Sequence, residues 1–275
     1  METTSPPPRV TVCIPTWQGE KHLAAAIASV LAQSLADFEL IVLDDASSDA
    51  TGQVVAGFID ARLRYVRNER NLGAEGNWNR GLELARGHYF KLLPHDDLLR
   101  PDALARQVAA LDADAGQALA LAFSARQVIA PDGRALLRRG YPQATAGRIE
   151  AAALTRRCLR QGTNPIGEPG AVLCRTALLR RIGGFDGRLP YVIDLDAWLR
   201  LLAFGAAWYE PEPLASFRVS AGAWSVALAK RQSEDFRALM APSLQRAGLA
   251  DRLCGHIAPA LNQSLRRVFY RWILQ

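Results

Sequence analysis

Four short apolar runs, at residues 10–14, 38–43, 63–66 and 88–93, alternate with segments whose apolar residues recur at helical spacing. Leu23, Ile27, Val30, Leu31 and Leu35 follow the first run at steps of three and four, and Val54, Val55 and Phe58 follow the second. Trp78, Leu82 and Leu84 come after the third, beyond Asn71 and Gly73. A strand that is apolar along its length must be covered on both faces, and interleaved helices supply that cover. The pattern predicts an α/β fold with a Rossmann-like, mostly parallel sheet and helices on both faces. Polar residues just past the carboxyl ends of its strands are then where a ligand binds. Ser47, Ser48, Asp49 and Thr51 offer capping groups to the second helix, and Pro101 sits where a helix after the fourth strand would begin.

The rhythm changes after Leu111. Residues 118–129 are apolar with polar interruptions, and Pro131, Asp132 and Gly133 read as a hairpin turn. Residues 167–219 mix short strands with one amphipathic helix around Trp198, Leu199, Leu201 and Leu202. A helical tail follows in which Leu265, Val268, Phe269, Trp272 and Ile273 share a face opposite Arg266, Arg267 and Arg271. Core packing is the first expectation for that face, and a basic amphipathic contact with a membrane is the second.

With 275 residues, 49% of them hydrophobic, the chain can bury a full core, which excludes overall disorder. Residues 1–8 carry Glu2 and three prolines and read as a flexible lead, not a secretory signal. No stretch reaches the ~18 apolar residues of a membrane span, so a soluble or peripheral protein is expected. Cys13, Cys158, Cys174 and Cys254 show neither zinc-site nor disulfide-framework spacing, which fits a reducing cytoplasm. The net charge of +6 arises largely after position 130, where Arg134, Arg138, Arg139, Arg148, Arg156, Arg157 and Arg160 meet few acids. Such a surface attracts phosphates, anionic lipid or nucleic acid, and an Arg-rich composition alone explains it equally well. No nucleic-acid motif accompanies it, so no nucleic-acid partner is expected.

Three carboxylate groups stand at ligand-binding places. Asp44 and Asp45 end the second strand, where adjacent charges repel unless a ligand, a cation or a helix N-terminus uses them. His95, Asp96 and Asp97 repeat the arrangement after the fourth strand, and two such strand ends suit a hard divalent cation with the diphosphate it neutralises. Neither GxxxxGK[ST] nor GxGxxG occurs at the first strand-helix turn, which argues against a P-loop nucleotidase or a simple dehydrogenase. Asp194 and Asp196 begin the helix of Trp198. A carboxylate there keeps a low pKa and can accept a proton at neutral pH, or it is an ordinary N-cap.

Taken in order, VTVCIPTW at 10–17, FELIVLDD at 38–45, Asn71-Leu72-Gly73 and NWNRGL at 77–82 resemble the successive motifs of glycosyltransferase family 2. KLLPHDDLL at 91–99 occupies the place of that family's DxD motif. Gly183-Gly184-Phe185-Asp186 and residues 194–201 resemble its acceptor-side segment, which ends in an acidic pair and WLRL. The resemblance spans residues 9–225 and implies a GT-A fold. Residues 9–115 would be the nucleotide-sugar-binding half, 116–225 the acceptor-binding half and 226–275 a C-terminal helical extension. It places Pro15, Thr16 and Trp17 beside the nucleoside base, with Asp45 hydrogen-bonding to it and Asn77 and His95 also on the nucleotide. Asp96 becomes the ligand of Mg²⁺ or Mn²⁺, with Asp97 in support. Asp194 becomes the base and Asp196 the second carboxylate to test.

The sequence departs from the family pattern at Pro94, where a full DxD has its first Asp, and at Trp78, where Arg is frequent. Arg218-Val219-Ser220 stands where a late His is common, which makes Arg218 the candidate replacement. The reaction implied is inverting transfer of a sugar from a nucleoside-diphosphate donor, UDP-linked, to a hydroxyl on a glycan or lipid-linked acceptor. Surface polysaccharide or glycolipid synthesis in the cytoplasm, with a peripheral station on the inner face of the membrane, is the associated role. The competing expectation is a catalytically degenerate member that binds nucleotide or glycan; Pro94 and Ser220 motivate it, and Asp45, Asp96 and Asp194 oppose it.

Overall fold

A computed structural model describes residues 6–220, 222 and 224–274, so residues 1–5 of the expected lead lie outside the described residues. Strands β1 (Val10–Thr16), β2 (Phe38–Asp44), β3 (Leu63–Arg67) and β4 (Tyr89–Leu92) are separated by helices α1 (Leu23–Leu31), α2 (Thr51–Ala56) and α3 (Gly73–Leu84). They pair in parallel in the order β3-β2-β1-β4, as the alternation predicts. β1 and β2 are buried at every position, the requirement of a parallel strand covered on both sides. β3 is the edge and turns Arg64, Tyr65 and Arg67 outward, which protects it from pairing with another chain.

Side chains of β1 alternate between two apolar layers. Val10, Val12 and Ile14 pack with Leu23, Ile27 and Val30 of α1, whereas Cys13 joins Ile41, Leu43 and Leu82 on the other face. The N-cap of α2 is Ala50, which has no capping side chain, so the expected cap is displaced by one residue: Asp49, just before it, accepts from the backbone N–H of Thr51 at 3.0 Å, and Phe58 falls beyond the helix end.

The second half extends the same sheet with β5 (Leu98–Leu99), β6 (Leu119–Ile129), β7 (Ala135–Arg139), β8 (Gly147–Ile149), β9 (Val172–Arg175) and β10 (Ala206–Arg218). The order continues β4-β9-β6-β10-β5. β6 and β10 are parallel, β9 runs antiparallel to both its neighbours, and β5, β7 and β8 add antiparallel edges. The predicted hairpin joins β6 to β7, with Gly133 at φ +90° where a side chain would be strained. Helices α4 (Ala103–Asp112), α5 (Ala151–Gln161), α6 (Thr176–Arg181) and α7 (Ile193–Leu201) cover the sheet, and α8 (Trp224–Ala227), α9 (Gln232–Arg246) and α10 (Leu249–Leu274) form the C-terminal extension. Among the described residues, Cys13, Cys158 and Cys174 are free thiols whose burial pushes their pKa up to about 12.

α10 departs from the face read off its sequence. Asp251, Gly255, Pro259, Gln263 and Tyr270 are the residues it buries, with Phe269 and Ile273 packed alongside. A Cβ on Gly255 would come within 2.6 Å of Leu244 in α9 and 2.9 Å of Leu159 in α5, so the small residues set the approach. Leu265, Val268 and Trp272 therefore point outward, and Arg266 lies on the packed side. No helix among the described residues is long and apolar enough to cross a membrane.

Candidate active site

Chain connections leave β1 toward β2 on one side and reach β4 on the other, so a crevice opens at the carboxyl ends of β1 and β4. Thr16 ends β1 with its side chain buried and its hydroxyl without a partner among the described residues. A buried hydroxyl left unpaired marks a place for a ligand group. Pro15 is buried opposite Leu43, and Trp17 stands 55% exposed at the rim. Gly19 leaves no room for a side chain, since a Cβ there would lie 2.1 Å from the Thr16 hydroxyl and 3.3 Å from His95. This close approach brings the end of β1 to the loop after β4. Gln18, at φ +52°, ties the β1-α1 loop to the next one by accepting from Ser48 and Asp49 N–H groups and donating its own N–H to Ser47.

The adjacent carboxylates of β2 are separated by the strand itself, and each has its own partners. Asp44 accepts from Tyr65 at 2.6 Å and from the Ser47 N–H at 2.9 Å, and faces Arg67 at 3.4 Å. Asp45 accepts from Asn68 at 2.7 Å and from the N–H groups of Leu72 and Gly73 at 2.8 and 2.9 Å. The protein's own donors thus relieve much of their repulsion, the structural one of the readings open from their adjacency. A carboxylate offers about four acceptor sites, so Asp45 keeps one for a ligand. Its own N–H donates to the Thr16 carbonyl at 2.8 Å, which sets the two residues side by side. Asn77 is buried beneath them, accepting from Asn68 at 2.9 Å and donating to Leu43. It positions Asn68, which sequence reading passed over, and Arg80 holds the other end of that amide at 2.6 Å.

His95 and Asp96 are half-buried in the loop after β4, and no hydrogen bond reaches the Asp96 carboxylate among the described residues. Asp97 turns inward instead. It accepts from the Arg218 N–H at 2.9 Å, and burial followed by the neighbouring Asp96 charge raises its pKa well above the usual range. Arg218 donates its side chain to the carbonyls of Asp96, Ala130 and Pro131 at 2.9, 3.2 and 3.0 Å. It staples the loop to the β6-β7 turn. Lys91 in β4 is fully buried and donates to Gly170 and Val172, and burial lowers its pKa to about 7. Among the described residues no three His, Cys, Asp or Glu side chains converge as a metal cage. The donors available are the free carboxylate of Asp96 and the imidazole of His95. That set fits a hard cation that takes one or two protein ligands and completes its shell with phosphate oxygens and water.

Asp194 begins α7 and accepts from Asn164 at 3.1 Å. Burial, and then the charge of Glu168, raise its pKa to about 7. The low pKa expected from its place at a helix N-terminus is therefore overturned, because desolvation and a like charge outweigh the dipole. Glu168 was not singled out by its sequence, where its only mark is a charge set among Pro165, Gly167, Pro169 and Gly170. It pairs with buried Arg126 at 2.5 Å; burial pushes its pKa up, but the charges of Arg126, Arg139 and Arg266 together outweigh that and hold it down to about 2. Asp196 lies about half a turn on along α7 and pairs with Arg200 at 2.6 Å; Arg200 also donates to Ile182 and Gly184. The ion pair thereby fastens the loop at Ile182 and Gly184 to α7.

The chain thus assembles Asp45, Thr16, His95, Asp96, Asp97, Glu168 and Asp194 into a continuous series of neighbours, with Asn77 buried beneath Asp45 and with Asp44, Asp196 and Arg218 held by contacts of their own. Sheet order, crevice and carboxylates define a GT-A type α/β fold. The model of Glycosyl transferase family 2 matches residues 11–183, and the chain belongs to that family. The succinoglycan biosynthesis protein ExoO of Rhizobium meliloti is 35% identical over 147 residues, 54% of this chain and 41% of its own. The Escherichia coli UDP-Glc:alpha-D-GlcNAc-diphosphoundecaprenol beta-1,3-glucosyltransferase WfgD is 37% identical over 99 residues, 36% of this chain and 39% of its own. Among solved structures, S. aureus TarS 1–349 in complex with UDP-GlcNAc superposes with a TM-score of 0.67 at 22% identity, covering 93% of this chain and 72% of that one. The Pyrobaculum calidifontis mannosyltransferase PcManGT, in complex with GDP-Man and Mn2+, gives 0.64 at 20% identity over 93% and 70%. At such identities the two structures speak for the fold.

Proposed function

We propose that this glycosyltransferase moves a sugar, with inversion, from a UDP-linked donor to a hydroxyl on a glycan or lipid-linked acceptor in surface polysaccharide or glycolipid synthesis. The observation that carries the reading is Asp194, a carboxylate with its pKa raised to about 7 at the far end of the series that starts in the crevice. A base is most effective when its pKa lies near the working pH. Residues 9–115 hold the donor, 116–225 the acceptor, and 226–275 extend the unit.

The nucleoside takes the free hydroxyl of Thr16, the remaining acceptor site of Asp45 and the exposed ring of Trp17. Asp96, with His95 beside it, is the place for Mg²⁺ or Mn²⁺, which would supply Lewis-acid stabilisation to the departing diphosphate. Asp194 accepts the proton of the acceptor hydroxyl. The oxygen attacks the anomeric carbon as the bond to the diphosphate breaks, and UDP leaves with that electron pair. One displacement inverts the configuration.

The same reading places the protein in the cytoplasm, on the inner face of the membrane, through α10. Leu253, Ile257, Leu261, Leu265, Val268 and Trp272 form an exposed apolar stripe flanked by exposed Arg252, Arg267 and Arg271. The one acid of that helix, Asp251, is taken up by Arg156 and Arg160. An apolar stripe between cations is complementary to an anionic lipid surface.

Calorimetric titration with UDP-glucose tests the donor site. Binding should be strengthened by Mn²⁺ in the wild type and lose that strengthening in Asp96→Asn. If no UDP- or GDP-linked sugar binds in either condition, the reading is wrong.

A further inference from the structure

An open cleft of about 200 Å³ lies between α10 and the β6, β7 and β10 strands, away from the β1/β4 crevice. Its walls include Val128, Leu137, Val219 and Phe269, and two guanidinium groups, Arg139 and Arg266, reach into it. Both arginines donate to the same hydroxyl, that of Thr163, at 3.4 and 3.3 Å. Thr163 is followed by Asn164, whose amide holds Asp194, so the cleft and the base share one short loop.

The charges here do not balance. Arg126, Arg139 and Arg266 all act on Glu168, and Glu168 is already paired with Arg126. Arg139 and Arg266 form no ion pair of their own among the described residues. Burial, and then the charges of Arg266 and Arg126, push the pKa of Arg139 down to about 10, which still leaves it protonated at neutral pH. Arg139 meets the Thr163 hydroxyl, and Arg266 meets it together with the Tyr191 hydroxyl, over whose ring it also lies, so two half-buried cations face neutral partners and a carboxylate that is already paired. An anion would balance them, and a guanidinium is shaped to receive phosphate oxygens. Apolar walls around such a pair are of no use to a free ion. They suit an anion that carries a hydrocarbon chain.

We propose that this cleft is the acceptor subsite, in which Arg139 and Arg266 hold the phosphate or diphosphate of a lipid-linked sugar acceptor while its first isoprenoid or acyl carbons lie along Leu137 and Phe269. The inference rests on the glycosyltransferase reading and deepens it, by naming the acceptor class and where its anionic group sits. Leu265 lines the cleft and also belongs to the exposed stripe of α10, so the apolar surface is continuous from the outer face of the helix to the arginine pair.

Farnesyl diphosphate, titrated in the presence of saturating UDP, is the probe, with inorganic diphosphate and farnesol as its separate halves. The wild type should bind farnesyl diphosphate at least about tenfold more tightly than either half. Arg139→Gln should weaken that binding by about tenfold or more, the loss expected for a charge-assisted hydrogen bond. Leu137→Glu changes an exposed wall residue, so it tests the same cleft by repulsion without disturbing the core, and it should weaken binding at least as much. UDP affinity serves as the check on folding of both variants. Equal binding by wild type and both variants, or diphosphate binding as tightly as farnesyl diphosphate, would overturn the proposal. Failure of the wild type to bind UDP would count instead against the donor reading, and the farnesyl diphosphate titrations would still decide the cleft.

Discussion

Replacing Asp194 by Asn should make the protein more stable and nearly inactive, and the gain in stability should depend on pH. The carboxyl's pKa rises from its ordinary 3.8 to about 7, so the folded protein disfavours its charged form. Below 3.8 both folded and unfolded chains carry the proton and the group contributes nothing. Between 3.8 and 7 only the unfolded chain releases it, and stability falls as pH rises; above 7 the full penalty is present. A rise of this size corresponds to roughly 4 kcal/mol for a fully enclosed group, and the partial exposure of Asp194 reduces the expected effect to roughly 1–3 kcal/mol. Urea unfolding of wild type and Asp194→Asn at pH 5 and pH 8 measures it, with the stabilisation larger at pH 8. The same variant should lose about 10² to 10⁴-fold in transfer rate, the usual worth of a general base. In the wild type kcat/KM should fall about tenfold per pH unit below 7 as the base takes up its proton. A variant equally stabilised at both pH values, or one that keeps the wild-type rate, would refute the account of Asp194.

Three further outcomes follow from the contacts. Asp45→Ala strands the donors of Asn68, Leu72 and Gly73 and should lower stability by roughly 2–4 kcal/mol in denaturant unfolding, with weaker UDP binding as the loop loosens. Arg218→Gln removes three donations to carbonyls and should cost roughly 2–4 kcal/mol, measured the same way, while donor affinity falls through the displaced Asp96. Leu261→Asp, on the exposed stripe of α10, should leave the melting temperature within a degree or two yet release the protein from phosphatidylglycerol vesicles in a sedimentation assay, by about tenfold or more in affinity; unchanged sedimentation would show that the stripe meets something other than lipid.

The first half of the fold was legible because its buried parallel strands are largely apolar runs and their helices keep a 3.6-residue period. Which carboxylate of each pair faces the crevice was not. Adjacent strand residues point to opposite sides, so Asp44 and Asp45 part, but only the tertiary structure supplies Tyr65 and Arg67 to one and the Leu72–Gly73 backbone to the other. Asp97 was hidden in the same way, because its partner Arg218 lies far along the chain. The role of Asp196 was available in the sequence, since Arg200 stands four residues on, at ion-pair spacing on one helix face. Glu168 offered no periodicity at all; it acts through Arg126, brought to it by β6. The α10 helix shows the limit of amphipathic reading. Spacing reveals two faces, but close packing against α5 and α9 selects the one with Gly255 and Pro259 and leaves the larger apolar residues outside.

Turnover of a donor panel tests the central claim most directly. Purified protein would be incubated with Mn²⁺ and each of several UDP- and GDP-linked sugars, and release of the nucleoside diphosphate measured for wild type and Asp194→Asn. The account predicts UDP release from at least one UDP-sugar by the wild type, reduced about 10²-fold or more in the variant. Release that is identical in the two proteins, or absent from the wild type with every donor, would contradict it.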